Sequence, residues 1–154
     1  APSLIPAKKA GKVNKKSVFS AVDLVPTLLE LTGAPSPKGA KYDGESLPDV
    51  LLGKSDSSRK QPLLFRRPPD RDSYYGDNDL PDLAIRDGKW KFLCEYDGAD
   101  AELYDMLNDR GETKNLADKH PEVVARLTKA CIAWHKSLPP DNGPNMVRKP
   151  KKKK

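Results

Sequence analysis

The feature that most restricts what this chain can fold into lies in residues 83–96. Leu83-Ala84-Ile85-Arg86 and the run starting at Lys89 flank Asp87-Gly88. An Asp-Gly pair between two apolar runs predicts a hairpin, because a type I′ turn needs positive φ at both central positions. In the second run Trp90, Phe92, Cys94 and Tyr96 alternate with Lys89, Lys91, Leu93 and Glu95. One face is apolar and the other mostly charged, so the sheet has one packed side and one wet side. Such a sheet needs a cover. The sequence supplies one after Pro121, where Val124, Leu127, Cys131, Trp134 and Leu138 recur at steps of three and four residues. That stripe belongs to a helix, opened by Pro121 at its first position and stopped by Pro139-Pro140. Pro62-Leu63-Leu64-Phe65 reads as a buried strand, and residues 102–106 as a further short one after the turn at Asp97-Gly98. The fold class is therefore α+β: a small antiparallel sheet packed by a C-terminal helix.

Upstream, residues 20–32 form a helix. Val22, Val25, Leu28, Leu29 and Thr32 fall at helical spacing, with Leu24 and Leu31 widening the apolar face. Ser20 or Asp23 caps it, and Pro26 suits a first turn where a missing N–H costs little. Gly33 and Pro35 end it. Residues 1–17 are a lysine-rich loop with a short strand at 3–5, and 34–62 is mostly connection with an apolar patch at 47–52. Residues 66–81 collect arginines, aspartates and Tyr74-Tyr75 into a long polar loop, a length often tied to function. The chain divides into 1–61, a subdomain at 62–140, and a disordered basic tail at 141–154.

The net charge of +6 suggests an anionic polymer, but Arg148, Lys149 and Lys151 to Lys154 account for all of it. No run approaches the ~20 apolar residues needed to cross a bilayer. The opening Ala1-Pro2-Ser3-Leu4 has no signal-peptide h-region, which suits part of a longer gene product or one trimmed at its start. Cys94 and Cys131 are far apart, without CxxC or zinc-ligand spacing; they form a disulfide or remain two half-buried thiols. His135 is expected to face solvent, and His120 to sit at the start of the last helix. Asp77-Asn78-Asp79 lacks EF-hand spacing and reads as a solvated loop. No nucleophile elbow, Walker loop or HExxH helix is present.

The order of segments says more. Ser20-Ala21-Val22-Asp23 through Pro26-Thr27 to Gly33 resembles the S-x-x-D-l-x-P-T-l-l-x-l-a-G helix of type I sulfatases. Asp43-Gly44-Glu45-Ser46-Leu47 resembles their D-G-x-S-L segment, and Ala84-Ile85-Arg86-Asp87-Gly88-Lys89-Trp90-Lys91 their a-i-R-d-G-x-w-K hairpin. Glu102-Leu103-Tyr104-Asp105, Asn108-Asp109, Glu112 and Asn115-Leu116-Ala117 follow the E-L-Y-d motif, and His120-Pro121-Glu122 opens the closing helix. Together these segments span residues 13–138 in the family's order, closest to the arylsulfatase and N-acetylgalactosamine-6-sulfatase group.

The resemblance implies the C-terminal part of a sulfuric ester hydrolase, preceded by an edge helix of an alkaline-phosphatase-like α/β catalytic domain. It implies calcium and a formylglycine residue for the full enzyme. The family's C-x-P-S-R cysteine and its calcium ligands lie upstream of the first helix and have no counterpart here; Cys94 is followed by Glu95-Tyr96-Asp97. The chain alone is thus expected to be inactive, with no catalytic or metal residues of its own. Its expected partners are the missing N-terminal catalytic domain and a sulfated carbohydrate or aryl sulfate, with no specific nucleic acid and an extracytoplasmic location. Arg66, Arg67, Arg71, Tyr74 and Tyr75 are the substrate-facing candidates, since guanidinium forks bind sulfate oxygens and tyrosine faces suit rings. The bland reading of those arginines is pairing with local aspartates. Two alternatives stand beside this one: a stand-alone module holding an anionic polymer by its lysine tail, and a decayed pseudo-enzyme.

Overall fold

A computed structural model describes residues 13–67 and 80–139. The chain divides into two compact units, Ala1–Pro62 and Leu63–Lys154. The expected strand at 3–5 and the basic tail lie outside the described residues.

In the first unit a 3₁₀ turn at Ala21–Asp23 leads into helix α1, Leu24–Thr32. Ser20 is extended, and Gly33 closes the helix in the left-handed region at φ 66°. The expected helix is present, but its apolar face is turned the other way. Val22, Leu24, Val25 and Leu28 are exposed, Val25 to 51%, while Asp23 and Thr27 are buried. The buried pair is polar because the face it occupies meets backbone. Thr27 Oγ1 accepts the Leu47 N–H at 2.9 Å, and Asp23 Oδ1 accepts the Glu45 N–H at 2.9 Å. Residues 47–52, expected to be connection, carry a short helix α2, Pro48–Leu51, with Pro48 at its first position. Gly44 lies so close to α1's entry that a Cβ there would stand 1.9 Å from the Val22 carbonyl oxygen. Only glycine fits at that crossing.

The second unit is a four-stranded antiparallel sheet in the order β1-β2-β3-β4. Its strands are β1 Leu63–Arg66, β2 Leu83–Asp87, β3 Trp90–Cys94 and β4 Glu102–Asp105. The third helix, α3, spans Pro121–Ser137. Alternation sorts the residues as expected. Leu83, Ile85, Phe92, Cys94 and Leu103 on one face form a buried core with Leu127 and Cys131 of α3, and Leu64, Trp90, Val124 and Trp134 pack around it. Full burial of each such side chain contributes roughly 1.5–3 kcal/mol. Leu138, expected to end the stripe, lies just past the helix in extended conformation.

The hairpin turn sits one residue later than expected. Asp87 pairs with Trp90, so the loop is Gly88-Lys89 rather than Asp87-Gly88. Gly88 has φ +53° and Lys89 does not share a positive φ, an arrangement that fits a type II′ turn with glycine first. Asp87 stays in the strand because its carboxylate accepts a hydrogen bond from Arg126 Nη1 of α3 at 2.6 Å. Moving the loop one residue moves each partner by two, so Ile85 faces Phe92 and no side chain changes face.

His135 also departs from expectation. Its ring stacks on Tyr96 with centroids 4.7 Å apart, and its Nδ1 is buried rather than in solvent. His120 stands at the N-cap of α3, with its ring 4.9 Å from Trp90. No helix among the described residues is long and apolar enough to cross a membrane.

Candidate functional site

The polar loop at 66–81 is the segment that the sequence singles out for function, and the structure describes both of its stems. Arg66 ends β1, paired with Leu83. One step further the Arg67 N–H donates to the Asp82 carbonyl at 2.8 Å. The side chains repeat the link, since Arg67 Nη2 lies 3.3 Å from Asp82 Oδ1, with both groups mostly buried. The Tyr96 hydroxyl donates to the Arg67 carbonyl at 3.2 Å, and the Tyr96 ring stacks on His135 of α3. The loop therefore springs from a base tied to both the sheet and the helix.

Arg67 takes the bland course open to it and pairs with a local aspartate. Arg66 shares β1's alternation with the core-packed Leu64, whereas Phe65 between them is 51% exposed. Arg71, Tyr74 and Tyr75 lie outside the described residues, as does Asp77-Asn78-Asp79.

The segments that carry the sulfatase resemblance have structural work in this chain. Asp23 is fully buried and saturated: Oδ2 accepts the Ser20 N–H at 2.8 Å, and Oδ1 accepts both the Glu45 N–H and Arg59 Nη1, the latter at 2.7 Å. The Arg59 side chain is only 4% exposed, and its Nε donates to the Gln61 carbonyl at 2.7 Å. Asp105 organises the turn after β4. Its carboxylate accepts the Leu107 N–H at 3.1 Å and the Asn108 side-chain amide at 3.1 Å, and lies 3.2 Å from Lys89 Nζ. Burial would raise its pKa, but the Asn108, Lys89 and Leu107 bonds outweigh burial and hold it below the usual carboxylate range. Asp109 does the same for the next turn by accepting the Thr113 and Lys114 N–H groups, both at 2.9 Å from Oδ2. Tyr104, on the sheet face opposite the core, has its hydroxyl pushed up to about 12 by burial and by its bond to Glu102. That value leaves it protonated at neutral pH and poorly suited to act as a base.

Sequence reasoning missed Arg59 altogether. Its partners Asp23 and Glu45 are distant in the chain, and no local pattern marks a buried arginine. A cue existed on the other side, because a buried motif aspartate needs a cation or several N–H donors to offset its burial.

Among the described residues no group of three or more His, Cys, Asp or Glu side chains is placed to hold a metal ion. Neither cysteine stands in a C-x-P-S-R context, and both are buried in the sheet–helix core. The described residues therefore do not fit the calcium and formylglycine of the family's chemistry.

The described part of the second unit is a small antiparallel sheet closed by a helix, with motif residues that tie its loops together. The family model described as N-sulphoglucosamine sulphohydrolase, C-terminal, matches residues 3–136. The chain is 33% identical to the arylsulfatase K of Mus musculus over 115 residues, covering 72% of this chain and 20% of that protein. It is 31% identical to an N-acetylgalactosamine-6-O-sulfatase of Bacteroides thetaiotaomicron over 134 residues, covering 77% of this chain and 24% of the relative. Among solved structures, a Bacteroides thetaiotaomicron chain studied for the metabolism of multiple glycosaminoglycans superimposes with a TM-score of 0.57 at 24% identity, over 78% of this chain and 25% of that one. A 2-O GAG sulfatase superimposes with a TM-score of 0.51 at 25% identity, over 76% and 26%. The chain belongs to the sulfatase family, and what it matches is the C-terminal domain. It spans about a quarter or less of the length of these relatives.

Proposed function

We propose that this chain is the C-terminal part of a sulfuric ester hydrolase, which completes that enzyme's fold and does not itself carry the reaction. The observation that carries this reading is the ordered series of sulfatase segments, matched over residues 3–136 by the C-terminal family model. The parent enzyme acts on sulfated sugars or aryl sulfates, the chemistry named in its relatives. Its catalytic portion, with an alkaline-phosphatase-like core, supplies calcium and formylglycine from residues upstream of Ser20. The exposed apolar side of α1, formed by Val22, Leu24, Val25 and Leu28, supports packing against that portion. An apolar stripe of this kind on a helix is unfavourable in water and favourable against another helix or sheet.

The role left to this chain at the pocket is to hold the 66–81 loop. Arg66, Arg71, Tyr74 and Tyr75 face substrate, and Arg67 stiffens the loop's stem through Asp82. The purified 154-residue chain should not hydrolyse an aryl sulfate; metal-dependent turnover by it would overturn the assignment. In the complete enzyme, alanine at Arg66, Arg71, Tyr74 or Tyr75 should raise KM for a sulfated sugar about ten-fold or more, the worth of a charge-assisted hydrogen bond. Unchanged KM across all four would remove the loop from the pocket.

A further inference from the structure

Cys94 and Cys131 are the chain's two cysteines, and both are 0% exposed. They come from different elements. β3 sets Cys94 on the covered face of the sheet, and α3 carries Cys131 against it in the same core cluster. Both are free thiols, near enough to each other to interact. Two thiols in one buried cluster, on elements already packed together, need little movement to bond.

We propose that Cys94 and Cys131 form a reversible intrachain disulfide that fastens α3 to the sheet when the chain meets a low-molecular-weight disulfide. The two sulfurs differ in character. In the closed state, interaction with Cys131 lowers the pKa of Cys94, against burial and against the carboxylates of Glu95, Asp97 and Asp82. Interaction with Cys94 and burial push the Cys131 pKa up. Once α3 and the sheet part, that difference is lost, and either thiol can attack first as its thiolate. When Cys94 leads, it displaces one thiolate from the small disulfide and forms a mixed disulfide. Cys131 then gives its proton to solvent, attacks Cys94 Sγ and releases the second small thiol. Two protein thiols are oxidised and one small disulfide is reduced to two thiols. Because both sulfurs are buried, exchange proceeds while α3 and the sheet are parted, either during folding or in a local opening. The closed bond is shielded from reductants by the same burial.

The test refolds the whole 154-residue chain from urea in a buffer of oxidised and reduced glutathione, so that the oxidant reaches both sulfurs. Acid quenching, alkylation and peptide mapping then follow. A Cys94–Cys131 cross-linked peptide, lighter by two hydrogens than the dithiol, is expected. So is a rise in Tm of roughly 10 °C that dithiothreitol reverses. Cys131→Ala should lose the cross-link and leave Cys94 as a glutathione adduct. If that variant does not fold, the peptide map of the unsubstituted chain decides alone. Glutathione adducts, chain-to-chain dimers or two free thiols as the main products of the unsubstituted chain would overturn the proposal.

Discussion

Asp23→Ala should destabilise the first unit by about 3–5 kcal/mol, the cost of leaving one member of a buried ion pair without its partner. The loss has three parts. Arg59, 4% exposed, loses its nearer carboxylate and keeps the Glu45 carboxylate at 3.8 Å and the Nε bond to the Gln61 carbonyl. The N–H groups of Ser20 and Glu45 lose their acceptor. Each orphaned donor adds about 1–3 kcal/mol wherever water cannot reach it. Hydrogen exchange of the intact chain is the appropriate measurement, since both tryptophans, Trp90 and Trp134, lie in the second unit and fluorescence would not follow this one. Amides of α1 and of 45–47 should exchange faster by roughly a hundred-fold to a few thousand-fold. A double replacement, Asp23→Leu with Arg59→Met, should recover part of the loss, because it removes both charges together. If the single variant exchanged like the parent, the pair would be incidental.

Phe92→Ala should cost the second unit about 3–5 kcal/mol, as expected when an aromatic side chain is deleted from a closed core. Phe92 is the largest of the fully buried side chains and faces Ile85 and Leu103 across the sheet. Ile85 and Leu103 opposite it are themselves buried, so relaxation into the space would be partial. Stabilities of small domains are typically about 5–15 kcal/mol, and a loss of this size should bring the unit close to unfolding. Urea unfolding followed by Trp90 and Trp134 fluorescence would report it as a lower midpoint with little change in slope. A shift worth less than about 1 kcal/mol would mean that the sheet–helix core is looser than its burial indicates.

Much of the second unit was legible in the sequence because its signals are periodic. Alternation from Trp90 to Tyr96 and the stripe from Val124 to Trp134 depend only on which face meets which, and both faces meet within this chain. The turn was misplaced because Asp-Gly is a strong local signal, while the tie that holds Asp87 in the strand comes from Arg126, 39 residues away. The first unit was harder for a different reason. Periodicity in 22–32 reports that an apolar stripe exists, not which molecule covers it. Within this chain the buried face belongs to Asp23 and Thr27, whose polar groups give no hydrophobic signal. The candidate loop was legible as a composition and as two stems. Arg67's pairing with Asp82 was one of two readings that sequence alone could not separate.

The closing segment of the family's E-L-Y-d motif carries one more consequence. The Leu103 N–H of β4 donates to Asn115 Oδ1 at 3.1 Å, and the Leu103 carbonyl accepts the Leu116 N–H at 2.7 Å. Asn115 Oδ1 also accepts the Ala117 N–H at 2.9 Å. The chain thus lays its own backbone and an amide side chain along the outer margin of the sheet, where a strand from another molecule would otherwise add. The opposite margin, β1, is four residues long and bracketed by Pro62 and Arg66-Arg67. Proline and positive charge both discourage strand addition. With the apolar face closed by α3, the open edges are where another strand could add, and Asn115 occupies one of them.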